Sequence, residues 1–368
     1  MEMFKELNSK LAFFCSYTPV EIISSCEFLP YRIFPPENTA VLDSKLHPTL
    51  CSFVRGAFSQ VHESRLDNLQ GAVLLNSCHA MNHLYQALES YTSLPFFYFF
   101  HLPRDNSFES QEFLSREFVK FHRALAEFKG EKPGEDKLWE HIELYRKIRL
   151  ALQELAKNSA VKEAEKLKLL QDFMISSPLQ FLEVINGYRG EKPTSMEKCA
   201  SENSCENGKM SSNQLSSSPR IYVCGSIMSL ELVKLIEELG GTVVEDDLCS
   251  GTRAVDFSAE YYEEALGEED PYWFLARHYL SRDPCPRMNC TGEKLSILQH
   301  RLKEKRVDGV ILFYLKFCEP WYYFGQVLRE KIAGEIPFLV LEEEYSIKGG
   351  IGQLRTRIAA FMEMLGRR

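Results

Sequence analysis

Residues 220–247 are RIYVCGSIMSLELVKLIEELGGTVVEDD, and this stretch predicts a strand, a helix and a second strand. Its first and last segments are short and apolar, as strands are when helices cover both faces of their sheet. The central segment, 229–241, has apolar residues three and four positions apart and ends in two glycines, which is typical of a helix and its carboxyl-terminal cap. The stretch therefore predicts a β-α-β unit.

Similar apolar runs, bounded by Gly, Pro or Asp, occur at residues 71–77, 95–102, 308–315 and 336–343. Helical patterns separate them, and alternation of strands with helices predicts the α/β class with parallel sheets. From Ser107 to about Tyr188 the sequence instead predicts amphipathic helices without a strand.

The two halves of the chain repeat one order of features. Gly71 begins a strand that leads to Cys78, then to a helical stretch and a further strand that begins with proline. Gly309 and Cys318 have the same places in the second half, at nearly the same spacing. We therefore expect two similar open parallel-sheet domains, Rossmann- or flavodoxin-like, whose clefts meet.

The domain organisation follows from these patterns and from composition. The segment before Arg220 is rich in Ser, Asn, Lys and Glu and has almost no bulky apolar residues, as mobile linkers do. We predict a first α/β domain over 1–106, a helical insertion over 107–190, a flexible linker over 191–219 and a second α/β domain over 220–368.

Charge and hydropathy exclude several classes of partner. Among 368 residues, 43 are Lys or Arg and 52 are Asp or Glu, so the net charge is −9 and no overall basic field attracts nucleic acid or an anionic membrane. The longest apolar run, 95–100, is far shorter than the roughly 20 residues of a membrane helix. The amino terminus lacks the pattern of a secretory signal. We expect a cytoplasmic protein that binds neither nucleic acid nor a membrane.

Eleven cysteines in a reducing compartment predict burial, metal binding or catalysis rather than disulfides. Ligands of open parallel sheets collect beyond the carboxyl ends of the strands, where Cys78 and Cys318 are expected. Cys51 is expected near the start of the helix that precedes the strand of Gly71. A helix amino terminus lowers the pKa of a thiol and so favours the thiolate that a metal requires. The alternative for each cysteine is a small buried apolar residue.

Generic cofactor motifs such as CxxC, Walker A and GxGxxG do not explain these cysteines, because the sequence lacks them. A set of ordered motifs carries a more specific resemblance: PVEII (19–23), LPYRIF (29–34), HPTLCSFVRG (47–56), NSCHAMNHLY (76–85), RIYVCGS to EDDLCSGTR (220–253), RHYLSRDPCPRM (277–288), VDGVILFYLKFCEP (307–320), EIPFLVLEEEYS (335–346) and GQLRTRIAAFMEML (352–365). Together they resemble the 2-hydroxyacyl-CoA dehydratase family, which includes benzoyl-CoA reductase subunits and double-cubane cluster proteins. The resemblance is nearly end to end and weakens only in the predicted insertion and linker.

This resemblance implies a [4Fe-4S] cluster held in the interdomain cleft by Cys51, Cys78 and Cys318, with the fourth iron left open for a ligand. Glu21 in the PVEII motif matches a glutamate of the family. It is implied to be catalytic, orienting substrate or moving a proton, and its alternative role is that of a charge at a helix start. His79 departs from the family, because many relatives carry aspartate there.

The resemblance further implies a lyase that acts on an acyl-CoA thioester. It would remove water through a ketyl radical after one-electron activation by a separate ATP-dependent activator, and it would work with a related dehydratase subunit. Two alternatives stay open. One is a low-potential reductase subunit, benzoyl-CoA reductase-like or with a double-cubane cluster to which Cys249, Cys285 and Cys290 contribute. The other is a noncatalytic electron-transfer or scaffold subunit.

Overall fold

The protein contains two four-stranded parallel sheets with the same strand order. The computed structural model describes residues 8–36, 45–63, 65–158, 160–190, 218–256 and 270–367. The first sheet has the order β2-β1-β3-β4, with β1 Lys10–Phe13, β2 Leu29–Arg32, β3 Leu69–Leu75 and β4 Phe96–Phe100. The second has the order β6-β5-β7-β8, with β5 Arg220–Gly225, β6 Thr242–Asp247, β7 Gly309–Leu315 and β8 Phe338–Glu343. The predicted α/β class with two similar parallel sheets is confirmed.

Helices connect the strands and cover the sheets. Those of the first half are α1 Val20–Ser25, α2 Ser52–His62 and α3 His79–Tyr91. The next four, with no strand among the described residues between them, are α4 Phe108–Lys129, α5 Glu135–Lys157, α6 Glu163–Phe173 and α7 Pro178–Gly190. The second half contains α8 Leu230–Glu238, α9 Pro271–Leu280, α10 Thr291–Glu304, α11 Glu319–Ile332 and α12 Ile351–Gly366. None of the helices in the described ranges has the length and apolar character needed to cross a membrane.

All six strands expected from apolar runs are present, but the sequence analysis missed β1 and β2. Each has only four residues, and β1 begins with a lysine and lacks a Gly or Pro boundary. Strand β1 nevertheless lies inside the sheet, because it pairs with both β2 and β3. Tertiary pairing, rather than local pattern, makes it a strand.

The core joins the two halves. One cluster of buried side chains includes Ala12 and Leu74 of the first sheet together with Val223 and Phe313 of the second. Helix α9, which follows β6 in sequence, packs on α4 and contributes Tyr279 to a cluster with the first sheet. The second half of the chain therefore reaches back over the first, and this brings the carboxyl edges of both sheets to one cavity.

Candidate functional site

A cavity of about 370 Å³ lies where strands of both sheets end. Residues within three positions after the ends of β1, β3, β5 and β7 line it, as expected for the ligand-binding edge of open parallel sheets. Six of its lining residues are cysteines: Cys15, Cys51, Cys78, Cys249, Cys285 and Cys318. The exposed side chains of His79 and Phe317 also line the cavity, so it is open to solvent.

The three cysteines predicted as ligands occupy equivalent positions. Cys51, Cys78 and Cys318 are the residues before the first turns of α2, α3 and α11 respectively. Cys78 follows β3 and Cys318 follows β7, which have matching places in the two sheets. The structure thus brings all three to one cavity, two from the first half and one from the second.

Burial raises the pKa of all three thiols, to about 12 at Cys78. Backbone N–H groups in the first helical turns lower it by less: those of Val54 and Phe53 at Cys51, and that of Trp321 at Cys318. The charge of Cys51 raises the pKa of the other two further. The expected lowering by the helix amino terminus is therefore outweighed, because desolvation of a buried thiolate costs more in the protein alone.

Cys15, Cys249 and Cys285 form a second group on the same cavity. The thiol of Cys285 donates a hydrogen bond to Cys249, which lowers the pKa of Cys249 and raises that of Cys285. Sequence reasoning gave Cys15 no role, although it stands two residues after β1 at the same edge as Cys78. If β1 had been recognised as a strand, Cys15 would have been predicted at the carboxyl edge of the first sheet.

The sequence analysis named both Cys285 and Cys290 as possible ligands of a double-cubane cluster. The two cysteines lie in different surroundings. Cys290 precedes the first turn of α10 but does not line the cavity, whereas Cys285 does. The backbone N–H of Cys285 donates to the Tyr17 hydroxyl at 3.2 Å. Arg287 donates to the carbonyl of Pro103 at 2.8 Å. These bonds hold the segment between α9 and α10 over the first sheet and direct Cys285 to the cavity.

Glu21 lies outside the cavity lining and is fully buried. Its Oε1 is 2.5 Å from Nη1 of Arg149, and the Tyr279 hydroxyl donates to its Oε2 at 2.7 Å. These contacts join α1 to α5 and α9. A catalytic role for Glu21 stays a prediction. In this structure the Glu21 side chain does not line the cavity.

The two acidic residues that end β6 form an internal network. Asp247 pairs with Arg253 and with Lys294, each at 2.7 Å. Asp246 accepts hydrogen bonds from the backbone N–H groups of Leu248 and Thr252, both at 3.0 Å. This network fixes the loop that carries Cys249.

No group of three His, Cys, Asp or Glu side chains within the described ranges is arranged to hold a single metal ion. In an iron–sulfur cluster, by contrast, each thiolate binds a different iron, so the thiolates need not converge on one point. The cavity therefore offers six sulfur donors that do not suit one ion but are compatible with a larger iron–sulfur group.

Comparison with known proteins agrees with the resemblance. The (R)-phenyllactyl-CoA dehydratase beta subunit of Clostridium sporogenes is 22% identical over 95% of this chain and 90% of its own. The lactoyl-CoA dehydratase beta subunit of Anaerotignum propionicum is 21% identical with the same coverage. A third relative, YjiM of Escherichia coli (strain K12), whose name provisionally calls it a dehydratase subunit, is 32% identical over 40% of this chain and 38% of its own. The family described as 2-hydroxyglutaryl-CoA dehydratase, D-component, matches residues 15–365, and the chain belongs to that family.

Proposed function

We propose that this chain is the iron–sulfur subunit of a dehydratase that removes water from a 2-hydroxyacyl-CoA thioester, with a [4Fe-4S] cluster bound by Cys51, Cys78 and Cys318. The observation that carries the proposal is that three helix-start cysteines from both halves of the chain line one cavity. Membership of the dehydratase family supports the reaction class.

The residues present fit such a cluster. Thiolates are the usual ligands of iron–sulfur clusters, and three of them leave one iron open. When bound, the cluster would supply that open iron position and transfer of single electrons. Burial raises the pKa of the three thiols. The positive core of a bound cluster would offset that cost of holding buried thiolates together.

The chain itself holds the ligands and places apolar side chains around them. First-turn backbone N–H groups point to each thiol, so the helices stabilise negative charge on sulfur. Apolar side chains of Phe14, Phe53 and Met81 line the cavity, and together with Trp321 they limit the water that reaches it. The solvent-exposed side at His79 and Phe317 leaves an entry for the thioester.

The same proposal includes two partners. The relatives from Clostridium sporogenes and Anaerotignum propionicum are beta subunits by name, which supports a related second subunit. The resemblance implies that ATP-driven activation comes from a separate protein, and the lack of a Walker A sequence in this chain agrees with that division.

Iron and acid-labile sulfide per chain, measured after anaerobic purification, test the proposal. We expect about four of each, and Cys51→Ser, Cys78→Ser or Cys318→Ser should lower bound iron and abolish activity, because a hydroxyl is a poor replacement for thiolate on iron.

Cys290→Ser is the matched control, since Cys290 also precedes a helix but does not line the cavity. Cys199→Ser and Cys205→Ser, outside the described residues, should likewise have no effect. Near-zero iron in the wild type would contradict the proposal.

A second candidate is a reductase subunit with a double cluster, and one observation favours it. Three further cysteines, Cys15, Cys249 and Cys285, line the same cavity as the first three. Six thiolates suit two clusters of three ligands each better than one. In this candidate the second set of ligands includes Cys15 in place of Cys290, which the sequence analysis had named.

Iron stoichiometry separates the two candidates. Eight or more irons per chain that fall to about four in Cys15→Ser or Cys285→Ser would favour the double cluster. About four irons that these substitutions leave unchanged would favour the single cluster, and Cys15, Cys249 and Cys285 would then be structural.

A further inference from the structure

A second and much smaller cavity, of about 30 Å³, is lined by residues of β1, β2, α1, α5 and α9. We call it the small cavity. It lies where the first sheet and its helices meet α9, which comes from the second half of the chain. A space of roughly 10–15 Å³ holds one water molecule. The small cavity therefore has room for one monatomic ion or a pair of waters, but not for a nucleotide or a thioester.

Positive charge around the small cavity exceeds the negative charge that the described residues supply. Three guanidiniums line it, those of Arg32, Arg149 and Arg282. Arg149 pairs with Glu21, which leaves the other two. Across the described part of the chain, neither Arg32 nor Arg282 has an acidic side chain within ion-pair distance, and they are only 2% and 5% exposed. A buried cation with no anion beside it strongly destabilises a fold.

The contacts that Arg282 makes are with neutral groups. Its Nη1 donates to the backbone carbonyl of Ser16 at 2.9 Å, and its Nη2 lies 2.9 Å from Nε2 of His278. Burial and the charge of Arg282 lower the pKa of His278 well below its ordinary value, so this imidazole is neutral. The guanidinium also lies 4.0 Å from the centre of the Tyr279 ring. None of these contacts supplies a negative charge.

Three buried polar atoms on residues that line the small cavity have no hydrogen-bond partner. They are Nε of Arg32, Nε of Arg282 and Oγ1 of Thr18, whose side chain is 1% exposed. Arg32 otherwise donates to the sulfur of Met174 at 3.6 Å and lies against two aromatic rings. Buried polar groups are nearly always hydrogen-bonded, and a guanidinium can only donate. The missing partner is therefore an acceptor.

We propose that the small cavity binds one monatomic anion of the halide class, such as chloride, with Arg32, Arg282 and Thr18 as its ligands. A water molecule would accept the same hydrogen bonds but would leave the two positive charges unbalanced, whereas a halide ion does both. The bound anion would hold α9 of the second half against the first sheet, because Arg282 follows α9 and Arg32 ends β2. This inference does not depend on the proposed function.

Urea unfolding of the full chain in its iron-free form tests the proposal, with sodium chloride replacing sodium gluconate at constant ionic strength. A ligand that binds only the folded state stabilises it by mass action. Each tenfold rise in chloride above its Kd should therefore lower the unfolding equilibrium constant by about tenfold, and bromide should act in the same way. An unfolding constant that is the same in chloride and in gluconate would overturn the proposal.

Two variants assign the chloride effect to this cavity. Arg282→Met should abolish the dependence on chloride. Thr18→Val keeps the shape of the side chain but loses the hydroxyl, and it should raise the Kd for chloride by about tenfold, because a hydrogen bond to a charged partner is lost. Arg146→Met is the matched control and should keep the full dependence, since Arg146 on α5 pairs with Glu143 and does not line the cavity. If Arg282→Met does not fold, Thr18→Val decides, and wild-type chloride dependence in a folded variant of either kind would overturn the assignment.

Crystals grown in sodium bromide give a direct readout. X-ray data collected at the bromine absorption edge should show an anomalous peak in the small cavity, within hydrogen-bond reach of Arg32 and Arg282. Density there without an anomalous signal would identify water and overturn the proposal. Neither readout involves iron, so a failure of the proposed function and a failure of this inference are told apart.

Discussion

Glu21 connects three helices through a buried ion pair, so its substitution is expected to change stability as well as any activity. Glu21→Gln removes the negative charge beside the Arg149 guanidinium, and both side chains are almost fully buried. Breaking a buried pair from one side typically costs about 3–5 kcal/mol. We expect a loss of this size in the free energy of unfolding, measured with urea on the iron-free protein.

A paired replacement separates the structural role of Glu21 from a catalytic one. Glu21→Met with Arg149→Met substitutes apolar side chains for both charges, which often restores stability. If Glu21 is catalytic, the restored protein stays inactive although it is folded and binds iron. If its role is structural, activity returns with stability. A double variant no more stable than Glu21→Gln would contradict the ion-pair explanation.

At the scale of single residues, the sequence predicted the cysteines at helix starts better than those in loops. The places of Cys51, Cys78 and Cys318 could be predicted because each stands at a recognisable helix start. Cys15 was missed because its strand is short, and Cys285 could not be told from Cys290. The choice between them depends on hydrogen bonds to Tyr17 and Pro103, which are more than 180 residues distant in sequence.

At the scale of secondary structure, strands β5 and β7 approach each other closely. This approach positions the residues that the second sheet contributes to the cavity. Gly225 ends β5, and a β-carbon there would lie 1.8 Å from the carbonyl oxygen of Phe313 on β7. The next residue, Ser226, accepts a hydrogen bond from the Leu315 backbone N–H at 3.2 Å and lines the cavity. A side chain at position 225 would therefore separate two central strands.

We expect Gly225→Ala to lower the free energy of unfolding by about 3 kcal/mol or more, because the clash is with backbone and cannot be relieved by a rotamer change. Bound iron should fall too, since Cys318 follows β7. Gly187→Ala in α7 is the control: no atom lies within 4 Å of the added carbon, and alanine in a helix should stabilise by about 0.5–1 kcal/mol. Thermal and urea unfolding of both variants measure this. A Gly225→Ala protein as stable as wild type would refute the close-approach argument.

Long apolar strands and helix ends were the elements that sequence could predict. All six strands recognised by apolar runs are present, because burial on both faces of a parallel sheet leaves a continuous apolar pattern. Strands β1 and β2 have four residues each and leave too little pattern to detect. The place of α9 against α4 also escaped prediction, because it depends on packing between distant parts of the chain.

The whole molecule combines two equivalent sheets with unequal cysteine sets. The repeated order of strand, cysteine and helix predicted that the clefts of the halves meet, and Cys78 and Cys318 now line one cavity. The repeat does not extend to Cys51 and Cys290, each of which precedes the helix before a central strand. Cys51 lines the cavity, whereas Cys290 does not. Shared topology thus explains where the site lies, and local loops decide which cysteines reach it.

The energetics of turnover distinguish the two proposed activities at this scale. A dehydratase that worked by the proposed electron-initiated route would return its electron at the end of each cycle. Activation would then need ATP only to begin, and product should form in large excess over ATP hydrolysed. A reductase consumes electrons in every cycle, so ATP hydrolysis should rise in proportion to product.

Plotting ATP hydrolysed against product, with the chain combined with its cognate subunit and an activator under a strong reductant, measures this as a slope. We expect a slope near zero for the proposed dehydratase, and a constant positive slope would instead support the reductase. In a triple variant, Cys51→Ser, Cys78→Ser and Cys318→Ser are combined in one chain. Wild-type turnover by this variant, if it folds, would show that the chemistry occurs in the other subunit. This chain would then be a noncatalytic scaffold, because no ligand set for the proposed cluster would remain in it.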